Sequence, residues 1–282
     1  MRNGSPQMTP PSDREPLPTS VDDLPPLPPE FWEAIRDGLA SIPAEAGAGG
    51  GEALGSGDAC VLSEAQLQAI GDHARLLRAW NVAINLSGIR APQAVAVEHV
   101  LDSLTALPIL RRAGVEEFLD IGSGGGYPGL PLAVALPARR ALLVESVGKK
   151  ARFLATAIDA TGMRGRVAVA ATRAETLAAD PHHRGHWQAV TVRAVAEMAE
   201  LVELALPLLR VGGLLVAWKR GPVEEELAGA QGAIRQLRGR LIRLEPVTVP
   251  GLEDHVLAVV QKTGETPDQY PRDRAARRRR PL

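Results

Sequence analysis

The residues best equipped for chemistry lie between Phe118 and Gly129, where an apolar run meets Asp120, Gly122, Gly124, Gly126, Tyr127 and Gly129. Glycine adopts positive φ without strain and leaves bare main chain for a ligand to lie against. Three alternate glycines exceed the needs of a tight turn, so this one is expected to hold a ligand. Gly124, Gly126 and Gly129 satisfy the dinucleotide pattern G-x-G-x-x-G. Glu145 follows Gly124 by 21 residues, where an acid that binds ribose hydroxyls would fall. A lone pattern of this kind leaves the ligand open between a dinucleotide and a simpler nucleoside.

Other chemistry-bearing groups are weaker signals. His182, His183 and His186 invite a metal reading, but they lie in a Pro/Gly loop with no periodic element to fix ligand geometry, so no metal site is expected. His99 and Asp102, three apart on a helix, share a face and read as a pair that positions that helix. Ser103 has no nucleophile elbow. Cys60 is the single cysteine, which rules out an internal disulfide and a cysteine-rich zinc site. Cations are more suggestive. Lys149, Lys150 and Arg152 open one predicted helix, while Arg173, Arg193, Lys219 and Arg220 fall at or near strand ends.

The elements that must position these groups follow from periodicity. Strand-like runs cover 117–121, 141–145, 167–171, 189–192, 213–218, 241–249 and 255–261, and helical stretches cover 129–136, 148–161, 196–210 and 222–238. This alternation predicts an α/β fold with a mainly parallel sheet covered on both faces. Only a short turn at Pro250 and Gly251 separates the last two runs, so they should form an antiparallel hairpin at one edge. Upstream, Ser63 and Gln66 make a capping box for a helix with Leu67, Ile70, Ala74 and Leu77 on one face, and a second helical pattern spans 95–110. Nine prolines between Pro6 and Pro29 mark residues 1–60 as a largely disordered tail, interrupted by a short amphipathic insert from Phe31 to Leu39. The expected division is therefore tail 1–60, N-terminal helical segment 61–114, sheet domain 115–263 and basic C-terminal tail 264–282. Of the 282 residues 45% are apolar, enough for a core, and a net charge of −1 means that any polyanion must be met by local clusters. With neither a signal-peptide core nor about 18 consecutive apolar residues, a cytoplasmic protein without membrane segments is expected.

The turn also reads as D-x-G-x-G-x-G through Asp120, Gly122, Gly124 and Gly126, and so resembles the nucleoside-binding turn of class I methyltransferases. Two features favour this pattern. An anion at Asp120 would repel a pyrophosphate but attract a sulfonium or an ammonium group, and the sheet ends in a hairpin after about five parallel strands, as in that class. Flanking residues narrow the likeness. Asn81–Arg90 matches N-x-x-x-N-L-[TS]-x-[IV]-R, His99–Ser103 matches H-x-x-D-S, and Glu145–Leu154 parallels [DE]-S-x-x-K-[RK]-x-x-F-L. Arg173–Glu175, Arg193–Ala194, Trp218–Lys219 and the ending Thr266–Arg272 fall in the same order. Over about residues 62–282 the chain resembles the bacterial 16S ribosomal RNA guanine-N7 methyltransferase G family. Gly125, where that family often has alanine or proline, and the run Arg277–Arg280 depart from it.

The resemblance implies a Rossmann-like class I methyltransferase fold, a seven-stranded sheet with an N-terminal helical segment over it, and S-adenosyl-L-methionine as cofactor. Asp120, Gly122, Gly124, Gly126, Tyr127, Glu145, Ala174, Glu175 and Arg193 would hold the cofactor, with Glu145 on the ribose, and Ala174 and Glu175 flanking adenine. Guanine N7 carries an exposed lone pair and needs no deprotonation, so no catalytic base is expected and catalysis should rest on alignment. Lys149, Lys150, Arg152, Arg173, Arg193 and Lys219 would meet 16S rRNA phosphates at the ligand rim, and Arg277–Arg280 would be an RNA-tethering or merely soluble tail. A monomer is expected. Three other readings stay open: a methyltransferase of another RNA base or a protein, an NAD(P)-dependent oxidoreductase, and a non-catalytic RNA-binding assembly factor.

Overall fold

Seven apolar runs become the strands β1 (Glu117–Ile121), β2 (Arg140–Val144), β3 (Val167–Ala170), β4 (Trp187–Arg193), β5 (Leu209–Arg220), β6 (Gly239–Pro246) and β7 (His255–Lys262) of one sheet, in a computed structural model that describes residues 17–44 and 59–282. Their order is β3-β2-β1-β4-β5-β7-β6. The first five are parallel, while β7 runs antiparallel to both β5 and β6. The expected hairpin is therefore present, with its second strand inside and its first at the edge.

Side chains alternate across the sheet, and both faces are buried. Leu119, Ile121, Leu142, Val144, Val190, Val192, Leu215 and Ala217 point into one core. Phe118, Ala141, Leu143, Ala189, Val216 and Trp218 point into the other. Burial on both sides explains why these strands read as continuous apolar runs. The second core is covered by α1 (Pro29–Leu39), α2 (Glu64–Trp80), the π-helical stretch (Val95–Leu101) that continues the short, unburied α3 (Pro92–Ala94), α4 (Asp102–Leu104), α5 (Leu107–Arg112), α6 (Gly129–Ala135) and α7 (Gly148–Ala160). The first is covered by α8 (Ala174–Ala179), α9 (Met198–Ala205) and α10 (Glu224–Gln236). The capping box holds: Ser63 Oγ accepts from the Gln66 amide at 3.3 Å, and Gln66 Oε1 accepts from the Ser63 amide at 2.9 Å. The second helical pattern is not one helix. It widens into π geometry at Val95–Leu101 and then restarts at Leu107, where Pro108 falls in the first turn and needs no amide partner.

Two boundaries need correction. Residues 17–44 are not tail. Phe31, Ile35 and Leu39, at i, i+4 and i+8, are buried in the core beneath α1, with Leu17, Val21 and Leu24 against it. Burying Phe31 and Ile35 contributes roughly 1.5–3 kcal/mol each. The prolines do not prevent this, because Pro29 occupies the first turn of α1, where a missing amide costs nothing. Those before it lie outside regular elements and offer carbonyls: Trp80 Nε1 donates to Pro18 O at 2.8 Å and Arg75 Nε to Pro25 O at 3.1 Å. Residues 1–16 and 45–58 of the expected tail lie outside the described residues. The basic C-terminal segment is likewise packed. Tyr270 is buried in the first core, and α11 (Arg274–Arg279) follows, capped by Asp273 Oδ1, which accepts from the Ala276 amide at 2.9 Å.

Candidate functional site

Strand order reverses at β1, with β2 and β3 on one side and β4 and β5 on the other. In open parallel sheets the crevice beyond the strand ends at such a point accepts ligands. The chain leaving β1 turns there on Gly122 (φ 71°), Gly124 (φ 53°) and Gly126 (φ 87°), all in the region that L side chains avoid. Close approach adds a second reason for glycine. A Cβ at Gly122 would lie 2.7 Å from Val195 Cγ2, and one at Gly126 would lie 2.7 Å from His73 Nε2. Gly122 and Ser123 donate to Val144 O at 2.8 and 3.1 Å, which ties the turn to β2.

Beside this turn opens a cavity of about 320 Å³. Glu145, at the end of β2, forms part of its wall and is 6% exposed. Its Oε2 accepts from the Gly124 amide at 3.0 Å and its Oε1 from the Val147 amide at 2.7 Å, so one carboxylate fixes two loops. Each oxygen keeps a lone pair for a further donor. Gly122, Arg173, Ala174 and Glu175 line the same cavity, together with Val195 and Ala196 after β4. Ala194, which leads into that loop, has φ of 53°, a strained conformation of the kind found where a loop is held against a site.

Five expected cofactor residues do not line the cavity. Asp120 is turned inward. Its Oδ1 accepts from Thr191 Oγ1 at 2.7 Å, its Oδ2 has no hydrogen-bond partner, and burial holds its pKa up at about 6. Through Thr191 it braces β1 against β4. Gly124 and Gly126 serve the turn itself. Tyr127 is stacked between His73 and His99, with ring centroids 4.4 and 4.7 Å away, and burial raises its phenol pKa. Arg193 caps this stack. Its Nη1 donates to Asp102 Oδ2 at 2.7 Å and to Glu98 O at 2.9 Å, and Nη2 lies 3.2 Å from His99 Nδ1.

The stack belongs to a network that joins the N-terminal helices to the turn. His73 Nε2 pairs with Gly125 O at 2.8 Å, Ser87 Oγ with His99 Nε2 at 2.6 Å, and His255 Nδ1 with Asp102 Oδ1 at 2.8 Å. Asn81 takes the Leu86 and Ser87 amides at 2.8 and 3.0 Å and so positions Ser87. Burial lowers the pKa of His73 to about 4; burial and then Arg193 do the same for His99. The pairing expected of His99 and Asp102 is thus realised through Arg193.

The expected ring of free cations is thinner. Lys149 and Arg152 are exposed on α7, Lys150 is half-buried, and Arg173 is exposed at the cavity. Lys219 is withdrawn: its Nζ bonds Glu226 Oε1 at 2.5 Å and Ala196 O at 3.1 Å, with the side chain 9% exposed. Arg193 is consumed by Asp102, and Arg220 pairs with Asp254 at 2.9 Å. The sequence therefore located these cations correctly but missed the acids opposite them. Among the described residues no three His, Cys, Asp or Glu side chains form a metal-binding group, and no helix is long and apolar enough to cross a membrane.

Arg274, Arg277 and Arg278 of α11 complete the cavity wall, and sequence reasoning placed them in a tail. The signal was available in Asp273, a capping residue three positions before Ala276.

Residues 66–248 match the family model of rRNA small subunit methyltransferase G. The chain is 43% identical over 221 residues to the "Ribosomal RNA small subunit methyltransferase G" of Roseiflexus sp. (strain RS-1), which covers 78% of this chain and 94% of that protein. It is 42% identical over 226 residues to the protein so named from Rubrobacter xylanophilus, covering 78% and 85%. Among solved structures, a branched-chain polyamine synthase mutein from Thermus thermophilus, in complex with N4-aminopropylspermidine and 5'-methylthioadenosine, superposes with a TM-score of 0.50 at 14% identity. It covers 69% of this chain and 64% of its own, a likeness of fold.

Proposed function

The chain belongs to the rRNA small subunit methyltransferase G family, and from that premise we propose that it transfers a methyl group from S-adenosyl-L-methionine to N7 of a guanine in 16S rRNA. One observation carries the cofactor assignment: a nucleoside-sized cavity at the β1 end, bounded by the positive-φ Gly122 and by Glu145. Its volume falls within the ~300–1,000 Å³ of small-molecule sites. Both oxygens of Glu145, a residue of the cavity wall, keep a lone pair for a further donor, which suits two ribose hydroxyls. The residues therefore fit the cofactor. Gly122 lets the amino-acid portion approach bare backbone, and Ala174 and Glu175 stand where the adenine would lie. Bound there, the cofactor supplies an electrophilic methyl on a sulfonium sulfur.

What the chain contributes is alignment. Guanine N7 attacks with its own lone pair, so no residue need remove a proton, and the neutral His99 has both ring nitrogens engaged by Ser87 and Arg193. The loop from Ala194 to Ala196 lies across Gly122 and is the wall against which the target base would be held. Arg173, Lys149, Lys150 and Arg152 remain as the cations for RNA phosphates. The same reading has the enzyme act as a monomer in the cytoplasm, where its proposed ribosomal substrate would be met.

The test uses labelled S-adenosylmethionine with purified protein and small subunits from cells lacking the enzyme, followed by mass spectrometry of the RNA. A single 7-methylguanosine, lost in G122D, is expected. Methyl transfer to another base or to protein, or to nothing, would overturn the assignment.

A further inference from the structure

The last residues of the chain form a strap across α8 and α9. Arg272 fastens it: Nε and Nη2 engage the two carboxylate oxygens of buried Glu203 at 2.8 and 2.6 Å, and the Arg272 amide adds a third bond at 2.8 Å. Beyond it, Arg277 is only 5% exposed. Its Nη2 lies 3.2 Å from Glu175 Oε1, its Nε 3.3 Å from Glu200 Oε1, and its Nη1 bonds Arg272 O at 2.5 Å. Glu175 follows β3 and Glu200 follows β4, so one guanidinium spans two walls of the cavity. A planar guanidinium holds its partners in fixed directions, which a lysine ammonium cannot do.

We propose that Arg277 is a positioning residue for the cofactor pocket: it holds the Glu175 carboxylate, and with it the start of α8, in the orientation that receives the nucleoside. The inference rests on the pocket assignment above. It gives the arginine run a role in cofactor affinity and separates Arg277 from its neighbours Arg278 and Arg279, which make no such bridge. Arg277 engages only Oε1 of Glu175, itself a residue of the cavity wall, so Oε2 keeps its lone pairs for a further donor.

Binding of S-adenosylhomocysteine, measured by calorimetry, tests this in the full chain for the parent, R277M, R277K, E175Q and the double variant R277M/E175Q. R277M should bind about tenfold more weakly, the size of one charge-assisted hydrogen bond at a ligand-facing carboxylate. KM for S-adenosylmethionine should rise by a similar factor while kcat at saturation stays within twofold. The three Arg272–Glu203 bonds do not use the Arg277 side chain, so the fold should persist although the Arg272 carbonyl loses a donor; R277K, expected about threefold weaker, carries the same test should R277M not fold. The double variant should bind no more weakly than E175Q, because Arg277 acts through Glu175. R277M and R277K within twofold of a parent that binds, or losses that multiply in the double variant, would overturn the proposal. A parent that does not bind S-adenosylhomocysteine would instead sink the pocket assignment itself.

Discussion

Replacing Glu145 by glutamine probes the pocket most directly, because it removes one charge and preserves shape. In the parent, two backbone amides donate to the two carboxylate oxygens at 3.0 and 2.7 Å. Glutamine can keep only one of these bonds, and its amide nitrogen then faces a second N–H donor. A hydrogen bond to a charged group contributes about 1.5–3 kcal/mol, and the opposed donors add a desolvated, unpaired group. At a factor of ten per ~1.4 kcal/mol, the proposed ribose contact alone gives a loss of about 10- to 100-fold in affinity for S-adenosylhomocysteine. Calorimetry reads that loss, and urea denaturation of the same sample reads the local damage. The expected pair is weak binding with a stability deficit of about 1–3 kcal/mol, since both loops lose their common anchor. Affinity within threefold of the parent would refute the role given to Glu145, whatever the denaturation curve shows.

Gly126→Ala forces an L residue to φ of 87° and sets a methyl 2.7 Å from the His73 ring, so a loss of about 2–4 kcal/mol in urea is expected; a loss below ~1 would mean the stack moves aside easily. Asp102→Ala leaves Arg193 and His255 without their shared acid and should cost about 3–5 kcal/mol, against nearly nothing if the network were solvated. His73 and His99 are neutral in the fold but protonate in the unfolded chain below its ordinary value near 6.5, so each adds stability above that pH that is lost as pH falls toward 4, by roughly 3 kcal/mol. Asp120 acts oppositely: its raised pKa favours the fold below about 3.8, and that contribution is lost as pH rises toward 6. D120N should therefore steepen acid destabilisation between pH 6 and 4, and an unchanged slope would count against the buried carboxylate. K219M should leave the salt dependence of RNA binding unchanged, whereas R173A should lower its slope by about 1; equal effects would show that Lys219 leaves Glu226 for RNA.

Parts of the site that depend on backbone chemistry were legible in the sequence. Gly122 and Glu145 announced themselves because only glycine fits a positive-φ approach and because an acid ends the second strand. The helical and strand periods placed every strand of the sheet: burial on both faces leaves an unbroken apolar run in the central strands, while the edge strand β6 alternates between covered and open positions. Side-chain direction was harder. Asp120 lies in the motif, yet strand alternation turns its carboxylate toward Thr191 and away from the cavity. Lys219 and Arg193 stand at strand ends as expected, but Glu226 and Asp102, which neutralise them, come from helices whose approach no local pattern encodes. Composition misled most at the termini. Prolines at 25–29 look like linker until one of them starts a helix, and an arginine run looks solvated until Glu175 and Glu200 are found opposite it.

The order of strands at the sheet's far edge bears on how the chain comes off the ribosome. β6 is synthesised before β7, yet β7 lies between it and β5. At about 5–20 residues per second, β6 waits roughly a second for residues 255–262 before it has any strand to pair with. Until then the edge of β5, including Leu214 and Val216, stands open as a template for foreign strands. The local β6–β7 hairpin then adds to β5 as one piece, and the strap that walls the pocket arrives later still. A nascent chain arrested before about residue 262 would therefore be both incomplete in its sheet and prone to aggregate, and the pocket would close its wall only after Arg274, Arg277 and Arg278 had followed.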